Sequence, residues 1–371
     1  MTGPRFPDLI ASLPATVPFV GPEELERAQG FAFRARLGAN ESVFGPSPRA
    51  VEAMRAADAE IWKYADPSHL ALKTELAGRL GCSPANIVFG EGIDGLLGYL
   101  VRLLVSPGDA VVTSDGAYPT FNFHVSGFGG VLHKVPYRDD AEDIAALFAR
   151  AAEVDAKIVY LANPDNPMGS CHPGQAIEEA LPLLPEGCVL ALDEAYIEFA
   201  PEGTAPVIAI DHPRVVRFRT FSKAYGMAGA RVGYAFGDAP LIGAFDKIRN
   251  HFAMNRAAQA GALAALCDDA WLDEVRGKVS AARERIARIA ADNGLSALPS
   301  ATNFVAVDCG KDGPHARAVL QALARRGVFV RMPFVAPQDR CIRISAGTEA
   351  DLDILAEALP EALAELREAT D

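Results

Sequence analysis

The sequence predicts an α/β protein with a mostly parallel sheet covered by helices on both faces, and a smaller α+β unit towards the C-terminal end. Three observations carry this expectation. Between about residues 70 and 240, seven β-rich runs alternate with helical patterns, at 87–89, 110–113, 131–135, 158–162, 189–192, 215–221 and 232–236. The stretch 268–293 reads as one long amphipathic helix that stops at Asn293 and Gly294, a length suited to connecting two domains. Beyond it, strand patterns at 304–307, 328–330 and 342–345 are interleaved with helices at 314–325 and 349–367.

Taken in order, residues 1–48 are broken by Pro14, Pro18, Gly21, Pro22, Gly45, Pro46 and Pro48. Such a segment is expected to be an extended arm against the small domain and a neighbouring subunit rather than a domain. Residues 49–250 then form the large domain and 251–371 the small one. The sequence contains no internal repeat or low-complexity tract.

Composition narrows the function classes. The 371 residues are 50% hydrophobic and 22% charged, which suits two or three core-forming units. A net charge of -13 without any lysine-arginine cluster argues against nucleic acid. The six cysteines have no CxxC spacing and are expected to be reduced thiols of a cytoplasmic protein. Prolines interrupt the N-terminal MTGPRFPDLI where a signal peptide needs a continuous apolar region, and no stretch approaches membrane-spanning length.

Chemistry concentrates in a few motifs. Ser222 and Lys223 lie in a glycine-rich turn between two apolar runs, with Arg231 eight residues beyond the lysine. That context suits either a solvated loop lysine or, as the glycines and the arginine favour, a lysine able to form a Schiff base, which requires a phosphate cradle and a carboxylate for a pyridinium nitrogen elsewhere in the chain. Gly90, Gly92 and Gly95 follow a predicted strand and open an apolar helix. They suit a phosphate at a helix N-terminus, a dinucleotide fold with Asp109 or Asp115 on the ribose, or a plain turn. Asn163 to Gly169, with two Asn-Pro pairs, follows the run 157–162, where it is either a surface turn or a ligand-facing loop carrying Asn166. Asp193 ends the buried run 188–192, suited to face a cofactor ring or to cap a helix. Tyr118 follows another predicted strand and either stacks on a flat ring or packs in the core. Arg331 and Arg343 sit in or beside apolar strands, where an anionic ligand or an internal carboxylate would resolve the cost of burial.

Together these motifs, with Asn40, Glu41 and the Gly45-Pro46-Ser47-Pro48 segment near the start and Ile342-Arg343-Ile344 and Gly347 near the end, resemble the pyridoxal-phosphate (PLP) aminotransferases of the aspartate aminotransferase fold. The histidinol-phosphate aminotransferase branch is the most similar. The resemblance implies the type I PLP-dependent transferase fold, a homodimer and PLP as cofactor. It implies that Lys223 forms the Schiff base and moves the proton, that Asp193 pairs with the pyridine nitrogen, and that Asn166 and Tyr196 hold the ring oxygen. Tyr118 would stack on the ring. The phosphate would be held by the backbone at Ile93 and Asp94, by Ser222 and Arg231, and by Tyr64 from the second subunit. Arg343, Arg331, Asn40 and Phe19 would contact substrate.

Departures from the branch concern the donor. Ser42-Val43-Phe44 replaces Asn-Pro-Tyr, Gly95 stands where a glutamate is usual, Met168 replaces a threonine, and Phe19 stands where a tyrosine hydroxyl would meet a phosphate. The expected reaction is ping-pong transfer of an amino group to 2-oxoglutarate, from histidinol phosphate or, given Phe19, from an aromatic amino acid. A threonine-phosphate decarboxylase-like enzyme and a nicotinamide-binding oxidoreductase are the alternatives; the yellow, borohydride-bleachable colour of a Schiff base separates the latter.

Overall fold

The structure, a computed structural model, describes residues 3–15 and 20–368. Its strands in chain order are β1 (Ala35–Arg36), β2 (Ile87–Gly90), β3 (Ala110–Ser114), β4 (Val131–Val135), β5 (Ile158–Ala162), β6 (Val189–Asp193), β7 (Val215–Thr220), β8 (Gly233–Gly237), β9 (Ser296–Ala297), β10 (Phe304–Asp308), β11 (Val328–Phe329) and β12 (Cys341–Ser345). Seven of them form one sheet in the order β2-β8-β7-β6-β5-β3-β4. Only β8 runs against its neighbours. The predicted α/β class and mostly parallel sheet are therefore observed.

A parallel strand buried on both faces must be apolar throughout, and β5 and β6 are buried at every position. Alternation sends Ile158, Tyr160 and Ala162 to one face, in a core with Leu96, Leu97 and Leu100 of helix Gly92–Leu104. Val159 and Leu161 go to the other, against Leu147 and Phe148 of helix Ile144–Glu153.

The smaller unit joins β12-β10-β9, an antiparallel sheet, to a parallel pair β1-β11. The long predicted helix spans Asp269–Asp292. Its buried Val275, Val279, Ala282, Ile286 and Ile289, spaced alternately by four and three residues, form the stripe that packs on this core.

The arm departs from the extended chain expected of it. It contains helices Asp8–Ser12 and Pro22–Gln29. Pro22 occupies the first turn of the second, where its missing N–H costs nothing, and Gly30 ends that helix in a left-handed cap. Further along, helix Arg256–Leu266 shares a core with Leu72, Phe89 and Phe221 of the large unit, so a division at residue 250 separates this helix from its packing partners. Among the described residues, no helix is long and apolar enough to cross a membrane.

Candidate active site

A cavity of about 470 Å³ opens beyond the C-terminal ends of the parallel strands, where residues leaving β5, β6 and β7 converge with the arm and β12. Ile93, Asp94, Tyr118, Asn166, Asp193, Tyr196, Ser222, Lys223, Arg231, Arg331, Arg343 and Asn40 all line it. Residues spread over three hundred positions of chain thus meet in one place.

The lysine loop connects β7 to β8. Thr220 Oγ1 accepts the Ser222 N–H at 3.0 Å and fixes the start of the turn. Gly226, with φ +67°, lies so close to the arm that a Cβ there would stand 2.3 Å from the Gly45 carbonyl. The loop and arm are in contact, and Lys223 Nζ donates to the Asn40 carbonyl at 3.1 Å while lying 5.5 Å from the centre of the Tyr196 ring.

The turn that opens helix Gly92–Leu104 lies against Arg231 and β8. Gly92 has φ +82°, and a Cβ on it would fall 2.5 Å from Arg231 Nη2. Gly233 leaves room for the Ile93 backbone N, 2.7 Å from where its own Cβ would be. The helix N-terminus therefore aims the N–H groups of its first turn towards the arginine side. Arg231 Nη1 donates to Ser222 Oγ at 3.5 Å, and Nη2 is 3.7 Å from the Asp94 carboxylate, which also accepts the Tyr118 hydroxyl at 2.9 Å. Burial and the Asp94 charge push the Tyr118 phenol upwards, so it remains a donor.

Asp193 is buried at the end of β6 and accepts from Tyr160 Oη at 2.7 Å and from the Ala195 N–H at 2.9 Å. Burial pushes its carboxyl up to about 6 despite these bonds, so its charge lacks a cation. Asn166 Oδ1 accepts from Arg343 Nη1 at 2.5 Å. Asn163 is saturated by His172 and the Thr204 carbonyl, so within this loop Asn166 reaches the cavity and Asn163 is structural.

Arg343 projects from β12 over the Phe304 ring at 5.2 Å, and its second Nη donates to the Gly38 carbonyl at 3.2 Å. Its buried Nε has no partner among the described residues, and burial pulls the guanidinium down to about 10. Arg331 donates to the Val20 carbonyl and is likewise pulled down by burial. Among the described residues neither arginine forms a salt bridge; their hydrogen-bond acceptors are carbonyl oxygens. A half-buried pair of guanidiniums with no carboxylate in salt-bridge contact among the described residues calls for an anionic ligand.

Tyr64 is 80% exposed, packs at a tilt against Phe252 with ring centres 4.8 Å apart, and is absent from the lining of the cavity of its own chain. Phe19 lies outside the described residues. The dinucleotide alternative fails on topology, because β2 is an edge strand paired antiparallel to β8, and Asp109 and Asp115 are engaged by the Ser106 N–H and Lys134. The missing glutamate at Gly95 has a local replacement: Glu91 folds across the glycine, its Cγ 2.7 Å from where a Cβ would be, and accepts from Tyr99 Oη at 2.6 Å. Met168 is buried in an apolar patch with Ala306 and Cys341.

Three contributors were not singled out from the sequence. Tyr160 carries the hydroxyl of an otherwise apolar strand, a signal that it needs a buried partner. Asn303, whose Nδ2 donates to the Asn40 carbonyl at 3.1 Å, and Ser345, whose Oγ donates to Asn40 Oδ1 at 3.1 Å, gave no local signal.

The Gly92 turn, the lysine and the buried carboxylate fit a phosphorylated pyridine aldehyde, and comparison with known proteins agrees. Residues 35–359 match the family of class I and II aminotransferases. A histidinol-phosphate aminotransferase of Moorella thermoacetica is 33% identical over 98% of this chain and 94% of its own. The crystal structure of histidinol-phosphate aminotransferase from Sinorhizobium meliloti in complex with pyridoxal-5'-phosphate is 56% identical, with a TM-score of 0.95 over 98% of this chain and 99% of that one. Aspartate aminotransferase from Thermus thermophilus with maleate, at 22% identity, shares the fold with a TM-score of 0.80 over 98% of this chain and 100% of that one. The chain belongs to the class I and II aminotransferases and has the type I fold of the PLP-dependent transferases.

Proposed function

We propose that the chain is a PLP-dependent aminotransferase that takes an amino group from histidinol phosphate and passes it to 2-oxoglutarate in a ping-pong cycle. The observation that carries the reading is one cavity holding Lys223, the buried Asp193 and two arginines that form no salt bridge among the described residues. The Moorella and Sinorhizobium proteins named above support the donor assignment.

When bound, PLP supplies an aldehyde for the amine and an electron-withdrawing pyridine ring. Asp193, held by Tyr160 and the Ala195 N–H, would keep the ring nitrogen protonated. Asn166 and Tyr196 would hold the ring oxygen, Tyr118 would pack on the ring, and the Gly92 turn with Ser222 and Arg231 would hold the phosphate. Lys223 Nζ would carry the proton to and from the substrate Cα. Arg343 and Arg331 bind the donor phosphate in one half-reaction and an acceptor carboxylate in the other, since both anions suit a guanidinium fork. Two cations without a salt-bridge partner among the described residues favour a dianionic donor end over an uncharged aromatic one.

A second copy of the chain completes the site with Tyr64. The exposed side chains Ile61, Trp62, Tyr64 and Phe252 give that copy an apolar surface to cover. Six unpaired thiols suit a reducing, cytoplasmic setting.

A half-reaction scan tests the reading. Histidinol phosphate is expected to bleach the yellow absorbance of the enzyme far more efficiently than phenylalanine, tyrosine, histidine or alanine, and 2-oxoglutarate to restore it. Bleaching by an aromatic amino acid at lower concentration than histidinol phosphate would reassign the donor.

A further inference from the structure

The chain between Arg331 and β12 crosses the mouth of the cavity. Met332 and Phe334 line the opening opposite Gly21 and Pro22, and Phe334 is 63% exposed, so most of its ring has no protein against it. The segment is nevertheless tied down at its far end. Arg340 donates to both oxygens of Asp140, at 3.0 and 2.7 Å, and through Nε to Asp308 at 2.7 Å. Asp140 precedes helix Ile144–Glu153 in the large unit and Asp308 ends β10 in the small one, so a single guanidinium joins the two. Val335 rests against Gly116, 3.5 Å from where a Cβ there would be, and beside Tyr137.

We propose that Phe334 is a specificity-determining residue, whose ring packs on the flat ring of the amino donor, and that Arg340 and Asp140 are positioning residues that hold it over the opening. The proposal rests on the reading of the donor as an imidazole-bearing phosphate. Of the two substrates, only that donor carries an aromatic ring; 2-oxoglutarate is polar at both ends, and a phenyl wall offers it nothing. The cations within the cavity fix the anionic end of either substrate. An aromatic side chain at the mouth sorts the two by what lies between their polar ends.

Steady-state kinetics of the PLP-loaded enzyme test it. Phe334→Ala raises KM for histidinol phosphate roughly tenfold, the order of one lost ring contact, with little change in kcat. KM for 2-oxoglutarate stays within about twofold, since the acceptor makes no ring contact. Phe334→Tyr restores the donor KM. Asp140→Asn raises the donor KM to a lesser degree, and the Phe334→Ala/Asp140→Asn double variant is no worse than Phe334→Ala alone, because both act through one ring. An unchanged donor KM in Phe334→Ala, or an equal rise for both substrates, overturns the proposal while leaving the function intact. Failure of the wild-type enzyme to react with histidinol phosphate removes the functional reading and this inference with it.

Discussion

Lys223 Nζ donates a 3.1 Å hydrogen bond to the carbonyl oxygen of Asn40, so the reactive amine of the large unit is held by the arm that belongs to the small one. The same carbonyl accepts from Asn303, and the Asn40 side chain donates to Tyr196 Oη at 3.1 Å. Asn40 is thus a junction between Lys223, Tyr196 and Ser345 of β12.

On the proposed function, replacement of Lys223 by Ala removes the proton carrier and the covalent link while the residues proposed to hold the phosphate, and Asp193, remain. Transamination should fall by at least about 10³-fold. PLP should still bind, in a form whose absorbance borohydride does not bleach. Retained turnover would show that another group moves the proton.

At Asn40 the backbone and side chain can be separated. Its φ is +54°, a conformation that glycine adopts freely and alanine does not. Asn40→Gly loses the bonds to Tyr196 and Ser345, a cost of about 1–3 kcal/mol. Asn40→Ala loses the same bonds and adds strain of about 1 kcal/mol. Denaturant unfolding of the two variants should rank alanine below glycine; the reverse order would refute the backbone argument.

The buried carboxyl of Asp193 has a definite pH signature in the cofactor-free protein. Its folded pKa, raised to about 6, exceeds the ordinary 3.8, so its stabilising contribution is full below 3.8 and lost as pH rises through 6. Asp193→Asn should therefore gain stability relative to the parent between pH 4 and 7, by up to about 3 kcal/mol. The PLP-loaded variant should lose activity on the order of a hundredfold, because Asn does not hold the ring nitrogen in its charged form. Parallel pH-stability curves for the two cofactor-free proteins would contradict the burial argument.

Gly92→Ala would place a methyl group 2.5 Å from Arg231 Nη2 at a residue with φ +82°. The expected result is a rise of about tenfold or more in the Kd for PLP, read by titrating cofactor-free protein, since both the arginine and the helix N-terminus must shift. Unchanged affinity would move the phosphate away from this turn.

Much of this was legible in the chain. The strands β3, β5 and β6 were predictable because a parallel sheet covered on both faces requires short apolar runs, and turn residues close each of them. Lys223, Asp193, Asn166 and Arg343 stood out because each interrupts or ends an apolar run with a group that needs a partner. The helices of the arm were hidden by prolines, although Pro22 serves as a helix start. Asn303 and Ser345 were hidden because their roles depend on a residue some 260 to 305 positions away.

The sequence by itself determined the fold class, the family and most of the polar residues that meet in the cavity, because periodicity and isolated polar residues are local properties. Only the tertiary structure decided that Asn40 holds the lysine, that Glu91 fills the place left by Gly95, and that Phe334 lines the cavity on a segment whose far end Arg340 ties to Asp140. Each of these is a contact between separated positions, set by how close two backbones come, and no local pattern encodes that distance.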